Sequence, residues 1–311
     1  MSIERRKILI VKLGYSETLL PIVGQTCSLG DVFRTTAILH LFKDDHVTWL
    51  TDHAAVPLLE GNPLIHRLLT FDLLSVLQLL SERFDKVINL EKVPGICSLV
   101  NRVSAWSKFG FRLDEESGDA QAFEMAHEAF TLATVESAKR LNDRPWVDVL
   151  YKLLGATWNG ENYVLGYRPA SPVQYDLGFN THVGKLIPQK AWPMRRWQEL
   201  ERLVQGRFTY SYQQHLNDLK GYMDWIHSCR MLVTGDTLGL YLAVAMNKKV
   251  LALFGPTPTS EQSPCENLRL MISPAAPKTV SVMPAPAQDD TCMAALSSQS
   301  VFDQITQWME P

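Results

Sequence analysis

Met231-Leu-Val-Thr-Gly-Asp-Thr-Leu-Gly-Leu-Tyr-Leu-Ala-Val-Ala-Met-Asn-Lys-Lys-Val-Leu-Ala-Leu-Phe-Gly-Pro-Thr257 is the stretch whose reading decides the fold. Met231 to Val233 form a short apolar run of the kind a buried strand requires. Gly235, Asp236 and Thr237 break that run, and Asp or Thr at this point can cap a helix. Leu238 to Met246 are apolar nearly all round, so the helix they form is expected inside the molecule. Asn247 to Lys249 end it, Val250 to Phe254 form a second buried strand, and Gly255-Pro256 stop that strand. The unit is βαβ, which implies a parallel sheet. The helix start after Asp236 offers unpaired backbone N–H groups and a positive dipole end, where a phosphate is at home.

Working outward, the same alternation recurs on both sides. Lys7 to Leu13 (K-I-L-I-V-K-L) is a buried strand bounded by Gly14. After a polar, glycine-containing segment, Tyr15 to Ser28, a helix is expected over Leu29–Phe42. Val47 to Leu50 is the next strand, Ala54 to Leu59 a short helix, and Ile65 to Thr70 an edge strand. Leu73 to Arg83 is amphipathic, and Phe84 to Leu90 brings a further strand. This order marks a doubly wound half. Ser98 to Ser107 reads as helix, Phe109-Gly-Phe111 as strand, and Ala120 to Leu141 and Trp146 to Leu154 as helices. A boundary falls near Arg168 to Pro172, giving domains 1–168 and 169–311. In the second domain Tyr175 to Phe179 opens a new α/β unit, and Gly206 to His215 leaves room for a trimmed strand. Leu219 to Ser228 is a helix, the segment from Thr257 to Asp290 is irregular, and Ser297 to Met309 is the last helix.

Four places in this order resemble the bacterial heptosyltransferase family, glycosyltransferase family 9. Leu253-Phe-Gly-Pro-Thr257 matches its L-F-G-P-T loop in full. Asp236 and Thr237 match its V-T-x-D-[ST]-G-x-x-H segment, with Leu238 standing where the family has glycine, Gly239 next to it, and Tyr241 where the family has histidine. Ser28, Gly30, Asp31 and Thr35 match its S-x-G-D helix start, although Tyr15 to Cys27 intervene where the family has almost no spacer. Lys190, Trp192, Pro193, Trp197 and Leu200 match its K-x-W-P-x-x-x-W-x-x-L pattern, with Pro193 at the helix N1 position. The resemblance implies a GT-B architecture, two doubly wound Rossmann-like domains facing across a cleft, the first on the acceptor side and the second binding the nucleotide-sugar. In such enzymes the terminal helix often crosses back to the first domain.

The resemblance also implies an activity: inverting transfer of a sugar, most simply heptose from ADP-heptose, to a surface glycan or lipopolysaccharide-type, lipid-linked acceptor. Asp31 is then the base that takes the acceptor proton. Asp236, Thr237, Leu238, Gly239 and Tyr241, with Lys190, would hold the donor diphosphate, and Gly255, Pro256 and Thr257 would shape the opposite wall. Ser28, Gly30 and Arg34 are candidate acceptor or phosphate contacts. Lys190 would offset the charge that develops on the leaving diphosphate. A non-catalytic nucleotide-sugar-binding relative is the alternative, motivated by Leu238 and Tyr241.

Other classes are disfavoured by what the chain carries. The net charge of −3 gives no basis for general nucleic-acid binding. Cys27, Cys97, Cys229, Cys265 and Cys292 are scattered and form no C-x-x-C pair, so neither zinc nor a disulfide framework is expected. No D-x-D follows a strand and the eight histidines show no H-x-x-x-H spacing, so metal-independent catalysis without a cofactor is expected, with Asp289 and Asp290 the remaining carboxylate pair. No G-x-G-x-x-G follows the first strand, against a nucleotide-cofactor dehydrogenase. No signal-like or membrane-spanning run is present, so a cytoplasmic protein is expected, with peripheral contact at the inner membrane surface as a further expectation.

Overall fold

The structure is a computed structural model and describes residues 5–16, 26–184, 187–215, 217–276 and 291–309. The chain divides into two compact units, Met1–Tyr167 and Arg168–Pro311.

In the first unit, β1 (Lys7–Val11) is flanked by β2 (His46–Thr51) and β4 (Arg83–Asn89), with β3 (Arg67–Thr70) beyond β2, and β5 (Ser104–Leu113) and β6 (Ala120–Ala122) beyond β4. All pairings are parallel except β5 with β6. Ile8 to Val11 are at most 1% exposed, as a parallel strand covered on both faces must be. The helices are α1 (Leu29–Thr35), α2 (Val56–Leu59), α3 (Leu73–Leu80), α4 (Pro94–Arg102), α5 (His127–Thr134), α6 (Glu136–Leu141) and α7 (Trp146–Leu153). The strand order reverses between β1 and β4, which makes the crevice beyond their C-terminal ends the natural ligand position.

In the second unit the order is β11 (Leu268–Ile272), β10 (Lys249–Phe254), β9 (Cys229–Gly235), β7 (Tyr175–Asn180), β8 (Tyr210–Tyr212), all parallel. Here the order reverses between β7 and β9. The helices are α8 (Met194–Val204), α9 (Leu219–His227), α10 (Leu238–Ala245), α11 (Thr291–Ala294) and α12 (Ser298–Met309). α12 packs on α8, where Ser298 Oγ donates to Glu199 Oε2 at 2.9 Å and Trp192 Nε1 donates to Leu296 O at 3.0 Å. The terminal helix is therefore anchored within its own unit. Among the described residues no helix is long and apolar enough to cross a membrane.

Several elements differ from the sequence reading. The helix expected over Leu29–Phe42 is α only to Thr35 and continues as a 3₁₀ turn, Thr36–Phe42. The helix expected from Ser98 begins at Pro94 and ends at Arg102, because proline suits the first helical turn and the following residues extend into β5. Ala120–Ala122 is a strand, not the start of a helix. Pro193 is the N-cap of α8 rather than N1. Leu268–Ile272, within the stretch expected to be irregular, is the edge strand β11, half-exposed and so lacking a continuous apolar run.

Candidate functional site

The first cluster lies at the C-terminal ends of β1 and β4. Lys12 follows β1 and is 3% exposed, and Glu91, two residues past β4, is fully buried. The Lys12 ammonium pairs with the Asp31 carboxylate and lies 3.5 Å from Glu91 Oε1. Glu91 Oε1 also accepts from the Leu13 and Gly14 N–H groups, each at 2.7 Å. Burial works against the charge on Lys12, but Asp31 and Glu91 outweigh it, and its pKa is raised. Beside this group the Lys92 ammonium donates to Ala133 O at 2.8 Å. Burial pushes Lys92 down to about 8, with Asp31 opposing the shift. Lys12, Ser16, Asp31, Thr35 and Lys92 line one pocket together with Phe111, Ala133 and Trp146.

The other expected residues of this half lie along or just before α1. Ser28 N donates to Gly14 O at 2.8 Å, and Ser28 O accepts from Asp31 N and Val32 N at 3.1 Å each, so Ser28 opens α1 through its backbone and makes no side-chain cap. Gly30 lies in the first turn of α1. Arg34 lies with its guanidinium carbon 5.8 Å from the Trp146 ring centroid. Gly14, with φ +81°, leaves no room for a side chain: a Cβ there would sit 2.9 Å from Ser28 N, Ser28 O and Val32 Cγ2.

The second cluster lies at the ends of β7 and β9. Asn180 Nδ2 donates to Thr234 Oγ1 at 2.7 Å and to Thr237 Oγ1 at 2.9 Å, while the Tyr222 hydroxyl donates to Asn180 Oδ1 at 2.9 Å. Thr237 occupies the N-cap of α10, yet its hydroxyl makes no cap bond, because Asn180 holds it. No side chain therefore competes for the helix-start N–H groups from this position. Asp236 precedes the N-cap. It pairs with Lys190 at 2.9 Å and accepts from the Tyr241 hydroxyl at 2.8 Å. Gln262 Nε2 reaches the same hydroxyl at 3.4 Å. Leu238 opens α10, and Gly239 is required next to it: a Cβ at Gly239 would fall 2.4 Å from Tyr222 Oη and 2.5 Å from Asn180 Nδ2. A Cβ at Gly255 would meet Met293 Sδ at 2.4 Å. Pro256 and Thr257 follow, half-buried, and the buried Thr257 hydroxyl has no hydrogen-bond partner among the described residues.

The expected residues fall into two groups: Ser28, Gly30, Asp31 and Arg34 on or beside α1 in the first unit, and in the second Asp236, Thr237, Leu238, Gly239 and Tyr241 at the start of α10, Gly255, Pro256 and Thr257 after β10, and Lys190 in the turn Pro188–Lys190. Sequence reasoning missed Lys12 and Glu91 in the first unit, and Asn180, Tyr222, Thr234 and Gln262 in the second. Lys12 carried a signal, since a charge closing an apolar strand run needs a buried partner. Among the described residues no group of three or more His, Cys, Asp and Glu is placed to hold a metal ion, and Asp289 and Asp290 lie outside those residues.

Two doubly wound units, each with its polar cluster at a strand-order reversal, define a glycosyltransferase fold of the GT-B type. Residues 217–284 match the family model described as glycosyltransferase family 9 (heptosyltransferase). No curated protein gives a significant sequence match. In fold, the chain is similar to E. coli heptosyltransferase WaaC, solved with ADP-2-deoxy-2-fluoro heptose, at 16% identity and a TM-score of 0.61, covering 97% of this chain and 99% of that one. It is similar to a family 9 glycosyltransferase from Veillonella parvula at 16% identity and a TM-score of 0.62, over 99% and 98% of the two chains. It is also similar to the iron-containing dodecameric glycosyltransferase TibC from enterotoxigenic E. coli, at 10% identity and 0.56, over 98% of this chain and 77% of that one. The resemblance to the heptosyltransferase family, read first from four motifs, is borne out, and the chain has that family's fold over nearly its whole length.

Proposed function

We propose that the protein is an inverting glycosyltransferase that moves a sugar, most simply heptose from ADP-heptose, to a hydroxyl of a lipopolysaccharide-type or other surface-glycan acceptor. The observation that carries the reading is the placement of both polar clusters. Asp31 stands at the reversal between β1 and β4, and the Asn180–Thr237 pair with Lys190 and Asp236 at the reversal between β7 and β9. In this reading the second unit holds the diphosphate on the N–H groups opening α10, with Lys190 steered by Asp236 and the Thr257 hydroxyl free for a donor oxygen. The acceptor hydroxyl attacks the anomeric carbon as the bond to the diphosphate breaks, its proton passing to the Asp31 carboxylate and the electron pair leaving with the nucleotide. An acceptor presented at the inner membrane surface is part of the same proposal.

Metal independence belongs to this proposal too, the α10 N–H groups and Lys190 taking the place of a cation. The test is product formation from a panel of nucleotide-sugars with a heptose-free lipopolysaccharide core as acceptor. It is run in excess EDTA and again with magnesium, manganese or iron added back; iron is included because TibC contains it. ADP-heptose is expected to be consumed in EDTA with inversion at the anomeric carbon. Binding of every donor without turnover would favour the non-catalytic relative instead, and activity restored only by a metal would remove the metal-free part.

A further inference from the structure

We infer that Lys12 and Glu91 are positioning residues for Asp31: a buried carboxylate–ammonium–carboxylate chain fixes where the Asp31 carboxylate points. The inference rests on the reading of Asp31 as the base. Its geometry stands on three observations. Lys12 lies between the two acids, paired with Asp31 and 3.5 Å from Glu91, and donates to Leu90 O at 3.3 Å. Its side chain is 4% exposed and that of Glu91 0%, against 16% for Asp31. Lys12 and Asp31 both line the pocket and Glu91 does not, and Asp31 is the most exposed of the three.

Placing an ammonium and a carboxylate out of water costs several kcal/mol per ion before pairing, and an apolar pair of similar volume would often be as stable. Stability alone thus gives little reason for this chain of charges at a strand end. A base gives one. Glu91 is itself held fast, its Oε1 gripped by the Leu13 and Gly14 N–H groups, while its buried Oε2 has no partner among the described residues. A fixed Glu91 fixes Lys12, and a fixed Lys12 fixes the carboxylate.

The test compares Lys12→Met, Lys12→Arg, Glu91→Gln and Asp31→Asn in the full chain, with ADP-heptose and a heptose-free lipopolysaccharide core. Lys12→Met is expected to lower kcat about 10²-fold, the cost of a misplaced reacting group. KM for the donor and the affinity for ADP should be unchanged. Lys12→Arg, which restores the charge, should recover most of the loss. Glu91→Gln, nearly isosteric, should fall between. Wild-type kcat in Lys12→Met, or no recovery in Lys12→Arg, would overturn the inference and leave Lys12 as a structural counter-ion. If Lys12→Met does not fold, Glu91→Gln decides by the same split between kcat and KM. Failure of the underlying reading looks different: Asp31→Asn would then retain full activity, whatever the Lys12 variants do.

Discussion

The Tyr241 hydroxyl donates to Asp236 Oδ1 at 2.8 Å, while Lys190 holds the other oxygen of the same carboxylate at 2.9 Å. Tyrosine in place of the family's histidine therefore faces the neighbouring acid, and the departure keeps a hydrogen-bond donor while giving up a titratable ring. Tyr241→Phe removes this hydrogen bond to Asp236 and should weaken ADP binding by about 3- to 10-fold, the worth of one hydrogen bond of about 1 kcal/mol. Calorimetry with ADP and with adenosine checks this; an equal loss for both ligands would place the effect away from the phosphates.

Gly239 lies against Asn180 and Tyr222 with no room for a methyl group. Alanine is the better helix former by about 1 kcal/mol, but here the clash decides. Asn180 cannot yield easily, being bonded to Thr234, Thr237 and Tyr222 at once. Gly239→Ala should cost about 1–3 kcal/mol net of the gain in propensity, read as a lower urea midpoint with an unchanged slope. A variant as stable as the parent would mean that the approach is looser than described.

Asp31→Asn should reduce transfer by ~10²–10⁴-fold, the usual contribution of a positioned base, and leave ADP affinity at its parent value. The fold should survive, since the amide keeps the shape of the carboxylate, although Lys12 loses one of its two anionic partners. Turnover at the parent rate would take the base role from this residue.

Lys92 carries a pH signature. Its pKa is lowered by burial from 10.5 to about 8, so the folded protein releases this proton before the unfolded chain does. Between those two values the unfolded state binds more protons, and stability attributable to Lys92 rises with pH; below about 8 it is at its lowest. Lys92→Met should therefore be more stable than the parent near neutral pH, by about 1–3 kcal/mol, with the difference closing as the pH climbs toward the value for free lysine. Urea denaturation of both proteins across that range measures it. A difference that does not change with pH would mean that the lysine titrates normally.

The parts legible in the sequence were those whose signal is local. Ile8 to Val11 read as a buried strand because every side chain is apolar, and the Gly255-Pro256 stop after Phe254 is written in two adjacent residues. β11 escaped because Leu268 to Ile272 form a half-exposed edge strand beside a proline-rich tail. The Lys12–Glu91 contact escaped for another reason: it spans the width of two strands and much of the first unit's chain, and no spacing rule links a lysine after one strand to a glutamate after another. Tyr241 was recognised as a departure, but its partner Asp236, five residues earlier, became clear only once α10 was seen to begin between them.

Gly14 and Ser28 meet backbone to backbone, Ser28 N on Gly14 O at 2.8 Å. Mechanically this is a clasp. It ties the start of α1 to the chain just past the end of β1, and Gly14, with no space for a Cβ, keeps the two in close contact. Asp31, whose N–H donates to Ser28 O, therefore takes its aim from the sheet.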